Sequence, residues 1–308
     1  MKKVFIDGAS GTTGLRINER LSERTDIELL KIPEEYRKDN AVIKEYINAS
    51  DITFLCLPDP AAIEAVGLTE NPDTVIIDTS TAHRTAAGWI YGFPEVNGNK
   101  AKISTSKRIA NPGCHASGFV SLVAPLTAAG IIPADLKLTC FSLTGYSGGG
   151  KKMIADYEPL PDLLLAPRQY GITQKHKHLP EMAKVTGLNV DPIFCPIVSS
   201  YYAGMEVTVP LFASDIKGSM EDIKAVYKDY YKNTLVRFKD PADEGGFLSA
   251  GTLAGFDDME ITVTGNEDRI LLVSRFDNLG KGASGSAVQN MNIVLGVPET
   301  TGLNISEG

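Results

Sequence analysis

Short apolar runs rich in β-branched residues recur through the first 110 positions, and each is followed by a stretch with helical spacing. Val4-Phe5-Ile6 predicts a buried strand and residues 11–24 a helix; residues 27–32 and 40–49 repeat the pair. Ile52-Thr53-Phe54-Leu55-Cys56-Leu57 and Val75-Ile76-Ile77, both bounded by turn residues, add two further strands. Strands apolar at nearly every position, alternating with helices, are the pattern of a parallel sheet covered on both faces. A doubly wound α/β domain is therefore expected at the start of the chain.

Beyond that point the pattern changes. Residues 136–146 and 193–211 form longer runs richer in Thr, Tyr and Val. Residues 261–265 and 270–276 flank Asn266-Glu267-Asp268 and predict a hairpin, and residues 220–233 predict a helix. This reads as an α+β domain on a mostly antiparallel or mixed sheet. A last helix, 284–295, follows the glycine-rich Leu279-Gly280-Lys281-Gly282-Ala283.

Composition narrows the class. The chain has 308 residues, 43% hydrophobic and 22% charged, enough to bury a core, which excludes a disordered tail, a collagen-like fibre or a small disulfide-stapled module. A net charge of -8 argues against nucleic acid as a partner and against a basic membrane-surface role. No stretch approaches the roughly 20 apolar residues of a membrane span. Met1-Lys2-Lys3 starts like a secretory leader, but Asp7 and Gly8 break the apolar run too early, so a reducing cytoplasm is the expected compartment.

Gly8-Ala9-Ser10-Gly11-Thr12-Thr13-Gly14 lies between the first strand and the first helix. It is a spacing variant of the dinucleotide-binding fingerprint: one glycine for the tight turn, one for close approach of a pyrophosphate, one for close helix–strand packing. The helix N-terminus then offers N–H groups to the anion, so Gly8, Ser10, Gly11, Thr12, Thr13 and Gly14 are candidate cofactor contacts. A plain turn is the alternative. The second strand ends on Lys31 where an NAD site usually carries an acid, which tilts the cofactor toward NADP.

The four cysteines differ in setting. Cys56, Cys140 and Cys195 lie in apolar strands and read as core residues. Cys114, in Asn111-Pro112-Gly113-Cys114-His115, opens an apolar helix, where the dipole favours a thiolate and free N–H groups stabilise an oxyanion. Two of the four histidines stand in His176-Lys177-His178-Leu179-Pro180-Glu181, before a helix starting near Pro180 and closed by Gly187. An extended segment would turn both rings to one side. With no CxxC, HExxH or further ligand cluster, no metal is expected, and an imidazole paired with a thiol is the reading kept. His115 is read as secondary, pointing to another face of its helix.

Two further stretches suit an anionic substrate. Asp78-Thr79-Ser80-Thr81-Ala82-His83-Arg84 follows a strand end, where Arg84 is placed to fork onto a carboxylate or phosphate; a solvated loop charge is the alternative. Gly145-Tyr146-Ser147-Gly148-Gly149-Gly150-Lys151 offers successive N–H groups, a hydroxyl and a lysine as an anion cradle, or else a flexible linker.

Taken with Gly92-Phe93-Pro94-Glu95 and the block from Lys281 to Asn292, these motifs resemble the shorter form of the N-acetyl-gamma-glutamyl-phosphate reductases along nearly the whole chain. His115-Ala116-Ser117 and Ser80-Thr81-Ala82-His83-Arg84 depart from the longer form and fit the shorter one. The resemblance implies a Rossmann-type parallel-sheet domain, a glyceraldehyde-3-phosphate-dehydrogenase-like α+β catalytic domain, and NADP. It also implies that the final helix returns to the first domain, giving residues 1–113 with 284–308 for the cofactor and 114–283 for catalysis and oligomerisation. The expected chemistry, a step of arginine biosynthesis, is attack of Cys114 on an acyl phosphate, reduction of the thioester by NADPH, and release of a semialdehyde. His178 would shuttle the proton, while His176 and Glu181 orient it or bind substrate. Arg84 would hold the substrate carboxylate, Ser147 and Lys151 the leaving phosphate, and Asn290 the cofactor. A homo-oligomer, dimer or tetramer, is expected. The rival readings are an aspartate-semialdehyde dehydrogenase acting on another acyl phosphate, and a cofactor-binding sensor without activity.

Overall fold

Val4 and Ile6 pack with Ile17, Leu21, Phe54 and Ile77, while Phe5, between them in sequence, packs with Ile43, Ile47, Leu55 and Ile76. Alternate residues of one strand thus enter two separate cores, as a sheet clad on both sides requires. The computed structural model describes residues 1–307. Its first compact unit comprises Met1–Pro94, Gly98–Pro112 and Ala283–Leu303. The strands are β1 (Lys2–Asp7), β2 (Ile27–Leu30), β3 (Ile52–Leu55), β4 (Val75–Asp78), β5 (Ile90–Tyr91) and β6 (Arg108–Ala110). They pair in parallel in the order β2-β1-β3-β4-β6-β5.

Helices α1 (Thr12–Ser22), α2 (Asn40–Ala49), α3 (Asp59–Gly67) and α4 (Asn99–Ile103) connect these strands. In α1 the buried residues Gly14, Ile17 and Leu21 recur at helical spacing, and Asp39 caps α2 by accepting from the N–H groups of Ala41 and Val42. One core takes α1 and the C-terminal helix Gly285–Leu295 through Ala287, Val288 and Met291; the other takes α2 and α3 through Ile43, Ile47 and Ala65. Each fully buried Ile or Phe contributes about 1.5–3 kcal/mol, so neither cladding layer is dispensable. Arg24 ties the C-terminal segment in place, donating Nη1 to Asn292 Oδ1 at 2.8 Å and to Thr301 O at 3.2 Å. Strand order reverses between β1 and β3, the position where doubly wound sheets bind their ligands.

The second unit comprises Gly113–Gly282, Glu95–Asn97 and the tail from Asn304. Its strands are β7 (Thr139–Gly145), β8 (Arg168–Gln169), β9 (Ile193–Ser199), β10 (Met205–Phe212), β11 (Val236–Phe238), β12 (Met259–Gly265) and β13 (Arg269–Phe276). They form a mixed sheet ordered β11-β12-β13-β10-β7-β9-β8. The run at 193–211 resolves into two strands, β9 and β10, and β12 and β13 form the hairpin expected around Asn266. The helices are α5 (Cys114–Ala128), α6 (Gly150–Tyr157), α7 (Asp162–Leu165), α8 (Leu179–Thr186) and α9 (Met220–Tyr230).

Helix α5 crosses β10 closely: a Cβ on Gly118 would lie 2.3 Å from Val207 Cγ2, so only glycine fits there. The tail is a correction to the expected division of the chain. Asn304 and Ser306 do not follow the C-terminal helix into the first unit. They hydrogen-bond Asp257 and Asp258 of the second, with Asn304 N–H donating to Asp257 Oδ2 at 2.8 Å and Ser306 Oγ to Asp258 Oδ2 at 2.7 Å.

Candidate active site

The glycine turn behaves as its spacing predicts. Gly8 has φ +81°, and a Cβ there would meet Cys56 O at 2.4 Å. A Cβ on Gly14 would sit 2.3 Å from Gly8 O, which is what draws α1 onto the end of β1. Gly11 is the N-cap of α1 and no side chain caps the helix, so its first N–H groups are open to an anion beside Ser10, Thr12 and Thr13. Asp7, at the end of β1, is pushed up to about 6 by burial. Lys31 is exposed immediately after β2, whereas Arg37 is engaged by Glu34 at 2.7 Å.

Asn290, on the C-terminal helix, is fully buried. Its Nδ2 donates to Gly92 O at 2.9 Å and to Asn111 Oδ1 at 3.1 Å, while its Oδ1 is buried without a hydrogen-bond partner. A Cβ on Gly92 would be 2.6 Å from Asn290 Nδ2, so that glycine makes room for the amide. Arg84, half-buried, donates Nε to Asn111 O at 2.9 Å and Nη2 to Thr79 O at 3.2 Å, which commits part of its fork to the main chain. His83 meets the buried Asp78 at 2.6 Å and stacks on Trp89.

Cys114 is the first residue of α5, and from Gly113 to Leu126 it alone is partly exposed. Gly113 is the N-cap, with no side-chain cap, so the open N–H groups and the positive end of the helix dipole lie at the sulfur. Glu181 secures this helix start: its buried Oε1 accepts the Gly113 N–H at 2.8 Å. Cys140, by contrast, is buried in β7 and desolvation pushes its thiol up; Cys56 is pushed up to about 12 for the same reason.

Three histidines cluster behind the start of α5. The His115 ring centroid lies 5.5 Å from that of His178 and 6.0 Å from that of His176, and His176 and His178 are 4.8 Å apart. Phe194 packs edge-on against His115 and His176. Contrary to the expected extended segment, the pair does not converge by strand alternation. His178 is the N-cap of α8 in αR conformation, and its N–H donates to His176 Nδ1 at 3.3 Å, so a turn brings the rings together. Burial and the neighbouring His176 hold His115 down to about 3, and burial and Lys177 lower His176. Both shifts favour the neutral imidazole at His115 and His176.

The glycine-rich stretch is differently built from the cradle expected. The N–H groups of Gly145, Tyr146 and Ser147 donate to the carbonyls of Gly204, Tyr201 and Tyr202 and are unavailable to an anion. Ser147 is buried and its Oγ accepts from Asn278 Nδ2 at 2.9 Å. Lys151 is exposed in the first turn of α6, whose N-cap, Gly149, brings no capping side chain. In the turn after β13, Lys281 and Glu95 form a 2.6 Å ion pair with both side chains almost fully buried.

Comparison with known proteins identifies the lineage. Residues 3–104 match the semialdehyde dehydrogenase NAD binding domain, and residues 114–278 the semialdehyde dehydrogenase dimerisation domain. The chain is 46% identical to an N-acetyl-gamma-glutamyl-phosphate reductase of Brucella ovis over 96% of this chain and 99% of that one. It is 43% identical to N-acetyl-gamma-glutamyl-phosphate reductase 2 of a Nostoc species over 98% and 99%. The chain belongs to the N-acetyl-gamma-glutamyl-phosphate reductase family. The fold is shared more widely: aspartate semialdehyde dehydrogenase from Candida albicans, solved with NADP, superposes with a TM-score of 0.65 over 96% of this chain and 98% of that one at 15% identity.

Within this reductase framework, the sequence singled out Cys114, His176, His178 and Glu181, and all four lie on α5, α8 or the turn before α8. It read His115 as secondary and did not single out Tyr170 or Ser142, whose hydroxyls lie within hydrogen-bond distance of the His115 ring at 2.5 and 2.6 Å. The signal for His115 was available: an apolar helix with no polar stripe has no solvent face to which a histidine could turn. Nothing local marks Tyr170. Among the described residues, no group of three or more His, Cys, Asp or Glu side chains is placed to hold a metal ion, and no helix is long and apolar enough to cross a membrane.

Proposed function

We propose that the protein reduces N-acetyl-gamma-glutamyl phosphate to N-acetylglutamate 5-semialdehyde and phosphate, using NADPH and a covalent thioester on Cys114. The observation that carries the mechanism is the partly exposed Cys114 at a helix N-terminus without a side-chain cap, with the rings of His115, His176 and His178 clustered behind it. The Cys114 thiolate attacks the acyl carbon, the C–O bond to phosphate breaks, and phosphate leaves. The α5 N–H groups stabilise the oxyanion of this step, and of the hemithioacetal that follows. His178 gives the proton that the hemithioacetal oxygen needs and recovers it as the C–S bond breaks; His176, held by the His178 backbone N–H, orients it by packing its ring against that of His178. Glu181 fixes the position of the nucleophile. Arg84 holds the substrate carboxylate. The Ser147 hydroxyl, Lys151 and the start of α6 receive the departing phosphate.

The residues of the first unit fit NADP: Gly8 to Gly14 and the open start of α1 would hold the pyrophosphate, Lys31 would supply a cation for the 2′-phosphate, and the unpartnered Oδ1 of Asn290 would offer an acceptor to a carboxamide. NADPH, when bound, supplies the hydride that reduces the thioester. The reaction is a step of arginine biosynthesis, and a reducing cytoplasm suits its reactive thiol.

The assembly is a homodimer in this reading. Phe141, Ile193, Phe212 and Leu271 lie on one face of the second unit's sheet by register, and Phe212 is 61% and Ile193 58% exposed. A second copy covers this face, and Phe212→Asp should turn the dimer into monomer in analytical ultracentrifugation. Cys114→Ser should abolish the phosphate-dependent oxidation of the semialdehyde with NADP while leaving cofactor binding intact. Normal turnover by this variant would overturn the covalent route.

A further inference from the structure

A turn far along the chain closes directly on the side chain of Cys114. A Cβ built on Gly282 would lie 2.9 Å from Cys114 Cβ, 3.1 Å from Asp277 O and 3.2 Å from Phe276 Cε2. No rotamer change relieves the first of these contacts, because a Cβ is placed by its own backbone. Either the turn or the start of α5 would have to move. Neither is loose. Gly282 N–H donates to Asp277 O at 2.9 Å, closing the turn over residues 277–282. The buried Asp277 carboxyl accepts the N–H groups of Leu279 at 2.6 Å, Gly280 at 3.3 Å and Gly255 at 2.5 Å. A Cβ on Gly280 would meet Phe256 O at 2.1 Å, so the turn already rests on main chain. Asn278 donates Nδ2 to Ser147 Oγ at 2.9 Å and accepts the Gly204 N–H at 3.0 Å, and Lys281 is locked to Glu95 at 2.6 Å. The start of α5 is fixed in turn by Glu181 on the Gly113 N–H.

We propose that Gly282 is a positioning residue for the nucleophile: by lacking a Cβ it lets a rigid turn close on Cys114 and, together with the hold of Glu181 on Gly113, fixes where the sulfur stands. The inference rests on the assignment of Cys114 as nucleophile. Gly282 is absent from the glycines with positive φ, so the position requires the missing side chain and not the backbone freedom of glycine. Alanine can follow the same backbone path, and the substitution then acts through the contact with Cys114 and its two neighbours. The effect on chemistry follows from distance. The field of a helix N-terminus falls off within the first turn, and a displacement of about 1 Å from the productive geometry costs about 100-fold in rate. The binding of substrate and cofactor does not depend on the sulfur's position in this way. Gly118 differs: a Cβ there meets Val207 and Ser274, so it serves the packing of the helix body rather than its first residue.

The test sets turnover against stability in the full-length protein. Gly282→Ala should lower kcat by about 10- to 100-fold, with KM for the semialdehyde and affinity for NADP within about threefold of the parent. Alkylation of Cys114 by iodoacetamide, followed on its peptide by mass spectrometry, should slow in the same variant. Gly265→Ala, at the β12–β13 hairpin, is the control for lost stability: its Cβ would meet Arg269 O at 2.2 Å, far from any catalytic role. It should unfold at lower urea while keeping the parent kcat and Cys114 labelling. Asp277→Asn gives up a carboxyl acceptor and loosens the turn without adding bulk, so kcat should fall by about tenfold with KM unchanged. A folded Gly282→Ala protein with parental kcat overturns the proposal, and so does a loss of kcat no larger than that of Gly265→Ala. Should Gly282→Ala fail to fold, parental kcat in Asp277→Asn overturns it instead. If Cys114→Ser is inactive in the same series, the nucleophile assignment survives such a failure; if Cys114→Ser turns over normally, the covalent route fails independently.

Discussion

Glu181 and Gly113, 68 positions apart, are joined by one buried hydrogen bond in which the glycine N–H donates to the carboxyl oxygen at 2.8 Å. The donor belongs to the N-cap of α5, so this contact sets where the helix begins and where Cys114 stands. Glu181→Ala leaves that N–H unpaired and should cost about 1–3 kcal/mol in urea unfolding, with turnover falling alongside. Glu181→Gln keeps an acceptor oxygen and should retain most of both. An alanine variant with parental stability and activity would show that the bond carries no weight.

Lys281 and Glu95 make a different kind of contact, a 2.6 Å ion pair with almost no exposed surface. Removing one partner strands a buried charge, and Lys281→Ala should lose about 3–5 kcal/mol in the same assay. Replacing both, as Lys281→Met with Glu95→Leu, should recover much of that loss because no uncompensated charge remains. Equal destabilisation of the single and double variants would contradict this account.

Gly14 and Gly11 separate packing from simple turn formation. A Cβ on Gly14 would sit 2.3 Å from Gly8 O, whereas one on Gly11 comes no closer than 3.4 Å to any neighbour. Gly14→Ala should therefore cost about 1–3 kcal/mol and weaken NADP binding, measured by fluorescence titration. Gly11→Ala should leave the fold intact.

Asp7 gives the pH dependence its sign. Its folded pKa, about 6, lies above the ordinary 3.8, so ionisation opposes folding. The stability it allows is fully present below pH 3.8, is lost as pH rises through 6, and is constant above. Asp7→Asn removes this loss and keeps an acceptor for the Gly8 N–H. The variant should gain about 2–3 kcal/mol over the parent at pH 8 and almost nothing at pH 3.5. A gain independent of pH would refute the assignment.

Lys31 is the cation that should separate the two nicotinamide cofactors, because Arg37 is already held by Glu34. Lys31→Ala should reduce NADP affinity by about tenfold and leave NAD affinity unchanged, as seen in competitive titration. Equal losses for both cofactors would place Lys31 elsewhere.

Much of this molecule was legible in sequence because the governing physics is local. A parallel sheet clad on both faces writes itself as continuous apolar strands, and the chain from Val4 to Ile77 reads that way. The glycine spacing at 8, 11 and 14 reports a turn and a close helix, and Gly113-Cys114 reports a helix start, since both depend on neighbouring backbone geometry. Which side chains meet was decided only by the tertiary structure. His115 and Tyr170 are 55 positions apart, Lys281 and Glu95 186, and Asn290 and Gly92 198. No periodicity encodes such partners. The N–H groups of residues 145–147 made the same point in reverse: their spacing suggested an anion cradle, but the fold had already given them to the carbonyls at 201–204. Local sequence determined the elements and the place of Cys114 at a helix start; packing chose the hydrogen-bond partners, because buried polar groups must be satisfied by whatever the fold brings within reach.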